Sequence, residues 1–133
     1  MRYLILTTAL LLPAAATIAS PTAVDPLLAE YQSQGATTPD AGRGQQLWNA
    51  PQASAKPGEQ RSCADCHTRQ LRDSGKHVRT GKAIDPLAPA VNGESLSDPR
   101  KIKKWLMRNC KWTLGRECSA QEKADLLVFI RQQ

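Results

Sequence analysis

The stretch Cys63-Ala64-Asp65-Cys66-His67 constrains this chain more than any other. Two cysteines separated by two residues, with histidine next, form the attachment pattern of a c-type haem. The spacing follows from the chemistry. Thiols one helical turn apart can each add to one vinyl group of the same porphyrin, and the next residue is carried beneath the ring, where an imidazole nitrogen reaches the iron. The motif therefore predicts thioether bonds at Cys63 and Cys66, His67 as proximal ligand and one covalent haem c. A redox dithiol and half of a zinc site are the competing readings. The dithiol needs a βαβ context, and no such pattern is found in this sequence. Zinc would have to recruit Cys110 and Cys118, whose seven-residue gap is wider than the usual spacing of about two to four.

The start of the chain places that motif in a compartment. Arg2, an apolar run from Tyr3 to Leu12 and small residues around Ala14 to Ser20 read as a secretory signal over residues 1–19, ending near Thr17-Ile18-Ala19. The run is short for a bilayer, and no span is expected in the mature chain. In a bacterium this means the periplasm. Residues 20–133 form the expected monohaem cytochrome c domain. With three Trp, one Phe and, past the signal, one Tyr, its own apolar core is thin, and a buried haem would complete it.

The net charge of +6 is clustered. Arg61, Arg69, Arg72, Lys76, Arg79 and Lys82 surround the motif against Asp65 and Asp73, and Arg100, Lys101, Lys103, Lys104, Arg108 and Lys111 follow with no acid among them. An exported chain is a poor candidate for nucleic acid. An acidic redox partner steered by this field is the functional reading, and a merely solvated basic face is the bland one.

Helical spacing recurs along the chain. Pro21 to Gln34 carries Ala23, Leu27, Leu28 and Tyr31, and Gly35 to Thr38 breaks it. Asp40 caps a second expected helix whose face includes Ala41, Gly44 and Trp48, and Gly44 there points to a close crossing with another helix. Asn49 to Gln60 reads as a loop, and Arg69 to Leu96 as a long loop wrapping one side of the haem. Ser97-Asp98-Pro99 starts a helix expected to run to about Cys110. Ser119 and Glu122 form a capping box for a last helix to near Gln133, with Leu126, Leu127 and Ile130 as its buried stripe. No strand pattern is found, so the expected fold is all-α, a small class I-like cytochrome c domain.

Electron-transfer haems usually take Met or a second His as sixth ligand. Past the signal the candidates are Met107 and His77. With Ile102 set at zero and about 100° per residue, Trp105, Leu106 and Asn109 share its face, while Met107 falls at about 140° among Arg100, Lys103, Lys104 and Lys111. The face able to meet a haem thus offers an asparagine. Asn109 has a plainer reading as a helix-end residue bonding backbone groups. His77 stays in play from an irregular loop where no periodicity sets its direction. Cys110 and Cys118, left over in an exported chain, pair by default in a disulfide worth roughly 2.5 kcal/mol; free thiols or a redox switch are the alternatives.

The sequence resembles the SHP-type cytochromes, the sphaeroides haem protein family of bacterial monohaem cytochromes c. The likeness rests on Arg79-Thr80-Gly81-Lys82, Pro86-Leu87-Ala88-Pro89, the run from Lys104 to Cys110, the block Gly115-Arg116-Glu117-Cys118, and Glu122 to Leu127. It implies His67 as proximal ligand, Asn109 as sixth ligand in the ferric state and a Cys110–Cys118 disulfide. It further implies that the asparagine leaves on reduction, opening the ferrous haem to small molecules such as O2 or NO, and that the electron donor is a dihaem cytochrome c. The expected function is therefore that of a periplasmic cytochrome with a ligand-switching haem. The alternatives are a plain electron carrier with permanent six-coordinate haem and a terminal reductase of oxygen or nitrogen oxides.

Overall fold

The computed structural model describes residues 23–133. The expected signal over residues 1–19 lies outside them. Five helices and two very short antiparallel ladders follow in order: α1 (Val24–Ser33), α2 (Ala41–Asn49), β1 (Gln52–Ala53), β2 (Gln60–Arg61), α3 (Ala64–His67), β3 (Gly75–Lys76), β4 (Ala83–Ile84), α4 (Pro99–Leu114) and α5 (Ala120–Arg131).

The helix starts are set by side-chain caps. Asp40 accepts from Arg43 N at α2, Asp98 accepts from Arg100 N and Lys101 N at α4, and Ser119 and Glu122 close a full capping box at α5. α4 outruns the expected stop at Cys110 by a turn. What ends it is Gly115, whose φ of 68° is a left-handed cap that costs glycine nothing. The two loops are also more regular than expected. β1 pairs with β2 (Gln52 with Arg61), and β3 pairs with β4 (Gly75 with Ile84). Two-residue strands are too short for alternation to show in a sequence.

α5 is the hub. Every residue from Ala124 to Ile130 is buried, so the expected stripe of Leu126, Leu127 and Ile130 is widened to a girdle that is apolar except at Asp125. Val24, Leu27 and Tyr31 of α1 pack on it with Ile102 and Leu127, while Trp48 of α2 packs with Leu126, Phe129 and Ile130. The crossing with α2 is close, as Gly44 foretold. A Cβ there would lie 2.2 Å from Asp125 O and 2.8 Å from Phe129 Cβ. Asp125 ties the same joint: its carboxylate accepts from Asp40 N at 2.7 Å, Arg43 Nε at 2.8 Å and Gln121 Nε2 at 2.9 Å. Burial pushes that carboxyl up, but these hydrogen bonds win and hold it below the usual range.

The long loop is tied down from within. Leu71 O accepts from both Leu87 N and Ala88 N at 2.9 Å, and Leu71 and Ala88 are buried. Ser95 Oγ donates to Leu87 O at 2.6 Å, and Asn92 Nδ2 to Pro86 O at 2.8 Å. Cys110 and Cys118 form a disulfide with Cα atoms 5.5 Å apart, joining the last turns of α4 to the start of α5. Among the described residues no helix is long and apolar enough to cross a membrane.

Candidate functional site

The motif folds as a single helical turn. Cys63 is already helical, and its carbonyl accepts from Cys66 N at 3.3 Å and His67 N at 3.0 Å. The Asp65 carboxylate clamps the entry, accepting from Ser62 N at 2.8 Å and Ser62 Oγ at 2.9 Å. The turn stops at Thr68, whose φ of 65° and ψ of 170° lie in a region that suits glycine. β3 presses on it from the side, since a Cβ on Gly75 would sit 2.1 Å from Cys66 O.

Trp48 fixes the exit. Its Nε1 donates to Thr68 O at 2.9 Å, its ring centroid lies 5.6 Å from that of His67, and its other neighbour is Phe129 at 5.9 Å. The histidine is therefore located by α2 and α5, elements remote in sequence. Helical spacing marked Trp48 only as a core residue; no sequence signal joins an indole to a carbonyl twenty residues on. His67 is half-buried, and desolvation lowers its pKa, keeping the ring neutral. Its Nδ1 is buried with no hydrogen-bond partner among the described residues.

Cys63 and Cys66 are both unpaired and half-buried. Burial pushes the Cys63 thiol up to about 11. That is the wrong direction for a redox dithiol, which needs a stabilised thiolate. Zinc fares no better, because Cys110 and Cys118 are consumed by their disulfide and no group of three metal-binding side chains is found among the described residues. Cys63 and Ala64 pack on the core that holds Trp48, Leu71, Ala88 and the disulfide.

The other sequence candidates lie on or against α4. Ile102 is buried and Leu106 half-buried, as phase required, but Trp105 is 51% exposed, so it does not join them in the core. At about 300° it sits on the flank of that face, and Lys104 and Arg108 lie over its ring. Met107 is exposed and lines a shallow groove of about 280 Å³ with Glu30, Lys103 and Glu117. Asn109 is half-buried, and because α4 continues to Leu114 it is a mid-helix residue, not a helix end. No hydrogen bond of its side chain is found among the described residues, which removes the capping explanation. His77 sits at the end of β3 in a structured turn, donating its N–H to Lys82 O at 2.8 Å. Its Nδ1 accepts from Thr80 N at 3.2 Å, and its ring lies 6.2 Å from Trp112 of α4. With Nδ1 engaged as an acceptor, the neutral ring carries its proton on Nε2, the opposite of what ligation through Nε2 requires.

The basic run on α4 is partly compensated by acids distant in sequence. Lys103 pairs with Glu30 at 2.8 Å, Lys111 with Glu117 at 3.0 Å, and Arg100 with Asp98 at 3.9 Å. Lys101, Lys104 and Arg108 have no ion pair among the described residues.

Comparison with known proteins decides the family. Residues 34–130 match the family described as Domain of unknown function (DUF1924). The chain is 39% identical over 132 residues to cytochrome c-type protein SHP of Cereibacter sphaeroides, covering 99% of this chain and 98% of that protein. The chain belongs to the SHP-type cytochromes c. The structure of oxidised SHP, described as an oxygen-binding cytochrome c, superposes with a TM-score of 0.77 at 38% identity, over 86% of this chain and all of that one. Oxidised cytochrome c'' of Methylophilus methylotrophus follows at 0.71 and 29%, over 84% of this chain and 94% of that one. Its sequence is 38% identical over 73 residues, 55% of this chain and 51% of that protein.

The fold of this SHP-type chain is thus that of a small, mostly helical class I cytochrome c. Membership implies haem c, and the residues fit it. Two unpaired thiols stand one turn apart, a neutral imidazole with an unpartnered buried nitrogen follows them, and no rival metal donor set is found among the described residues.

Proposed function

We propose that this protein is a periplasmic monohaem cytochrome whose sixth ligand is exchanged with oxidation state. Cys63 and Cys66 carry the haem and His67 is its proximal ligand. Asn109 occupies the distal position in the ferric state and leaves on reduction, so that a small diatomic ligand such as O2 or NO can enter. The haem supplies an iron that cycles between ferric and ferrous.

The residues account for the rest. His67 is kept neutral by burial and pinned by Trp48, so the proximal side stays constant. The Asn109 amide oxygen is a hard, neutral donor that suits Fe(III) better than Fe(II). The disulfide at the neighbouring Cys110 holds this part of α4 in place, and the amide can move by rotation of its own side chain. One observation carries the reading: a mid-helix, half-buried asparagine with an unengaged amide, in a chain related end to end to an oxygen-binding cytochrome c. Electrons would come from another cytochrome, a dihaem c-type protein or other acidic partner.

The test is the absorption spectrum, oxidised and reduced, with and without CO. The expected result is a six-coordinate ferric form and a high-spin ferrous form that takes up CO. A low-spin spectrum in both states that ignores CO would make the protein a simple carrier and overturn the switch.

A further inference from the structure

Trp112, one turn beyond Asn109 on α4, gathers cations. The Arg61 guanidinium carbon lies 4.9 Å from the ring centroid and that of Arg79 5.2 Å, so the two are no more than about 10 Å apart. The His77 ring lies against the same indole, and because its Nδ1 accepts from Thr80, the neutral ring presents Nε2–H as a donor. These groups come from three separate parts of the chain: β2, the turn of the β3–β4 hairpin, and α4. Their charges are not balanced locally. Glu59 is the carboxylate of the cluster, and it is shared between Arg61 at 2.5 Å and Lys56. Each guanidinium gains from its contact with the ring, Arg79 has no ion pair among the described residues, and planar forks are the geometry that grips carboxylates.

We propose that Arg61, Arg79 and His77 Nε2–H form, around Trp112, a site for a group bearing two carboxylates. Arg61 precedes Cys63 by two residues and Trp112 follows Asn109 by three, so the site lies beside both ends of the proposed haem position. The pair of carboxylates on the haem itself is therefore the ligand that the placement favours. A free dicarboxylate offers the same chemistry. The first assignment rests on the functional reading above, and the second does not.

The experiment uses the full holoprotein made with haem labelled with ¹³C at its carboxyl carbons, read by redox-difference infrared spectroscopy. Arg79 is exposed and has no ion pair among the described residues, so Arg79→Gln is expected to fold. It should shift the labelled carboxylate bands and lower the reduction potential, because a cation facing the haem is lost. Arg79→Lys should restore the potential in part and the bands poorly. Lys82→Gln, the same charge change on the same hairpin, should leave the bands in place. Glu59→Gln frees Arg61 from its competitor and should move the bands in the sense opposite to Arg79→Gln. A second arm titrates succinate into unlabelled protein and follows the Trp112 indole N–H by NMR. If the bands ignore Arg79 but succinate saturates the signal, with affinity about tenfold weaker in Arg79→Gln, the site stands and its ligand is diffusible. Bands indifferent to both arginines, with no succinate binding, overturn it. If the chain carries no covalent haem, the functional reading fails and the succinate arm still decides the site.

Discussion

Thr68 is held where backbone sterics disfavour a β-branched residue, although its Oγ1 donates to Gln70 O at 2.6 Å. With φ at 65° and ψ at 170°, it stores strain of about 1–3 kcal/mol, and what holds it there is the hydrogen bond from the Trp48 indole to its carbonyl. Thr68→Gly is therefore expected to raise stability by about 1 kcal/mol in a denaturant melt, after the usual entropic cost of glycine. A loss of stability would show that the strain is smaller than the Thr68 Oγ1–Gln70 O hydrogen bond and the chain entropy that the substitution gives up. The same scale decides the ligand. If Asn109 is the distal ligand as proposed, Asn109→Ala should convert the ferric spectrum from a six-coordinate to a water-bound or five-coordinate form, while its ferrous form still binds CO. Met107→Ala should leave both spectra unchanged, since Met107 sits on the exposed face with Lys103 and Lys104. If His77→Ala, and not Asn109→Ala, abolishes the native ferric spectrum, the assignment of the distal ligand is wrong.

At the scale of elements, the joint between α2 and α5 is the most demanding contact. Gly44→Ala must push apart the α5 backbone at Asp125 and should cost about 1–3 kcal/mol. Gly93→Ala, with nothing within 4 Å of the added methyl, should cost little, and equal losses for the two would deny the close crossing. Asp125 adds a pH dependence. Its folded pKa is depressed, so its contribution is present above the unfolded value of about 3.9 and is lost as pH falls through the folded one. Asp125→Asn should therefore be less stable than the parent at pH 7, by roughly 2–3 kcal/mol, with the gap closing below about pH 4. A gap that stays constant down to pH 2 would remove the ion pair from the explanation. Much of this architecture is legible in the sequence because its signals are local. Asp40, Asp98 and Ser119 announce their helices, and a glycine amid the α2 face announces the crossing. The end of α4 was there to read in Gly115. The ladder holding His77, the role of Trp48 and the pairing of Lys103 with Glu30 were not, because each joins residues that no period or cap connects.

For the whole molecule, the charge distribution concerns encounter with a partner. Lys101, Lys104 and Arg108 form the uncompensated part of the basic α4 surface, and a steered acidic partner would feel them most. Its second-order reduction of this protein should slow steeply with salt as the Debye length falls from ~10 Å at 0.1 M to ~3 Å at 1 M. Lys104→Glu should slow it similarly at low salt. Lys103→Glu is a less clean probe, because it also places a carboxylate against Glu30. A rate indifferent to ionic strength and to Lys104 would leave these residues as a solvated face.

The girdle of α5 also governs when the molecule can form. α1 and α2 find their packing surface on the last helix in the order of the described elements, so this core closes late and across long chain separations. Until Ala124 to Ile130 arrive, Trp48 has no Phe129 to rest on and the turn carrying Cys63, Cys66 and His67 has no floor. In the proposed periplasmic cytochrome, export as an extended chain and attachment of haem to both thiols would fall within that same open interval. The order of the elements would then make slow closure an advantage in the protein's manufacture.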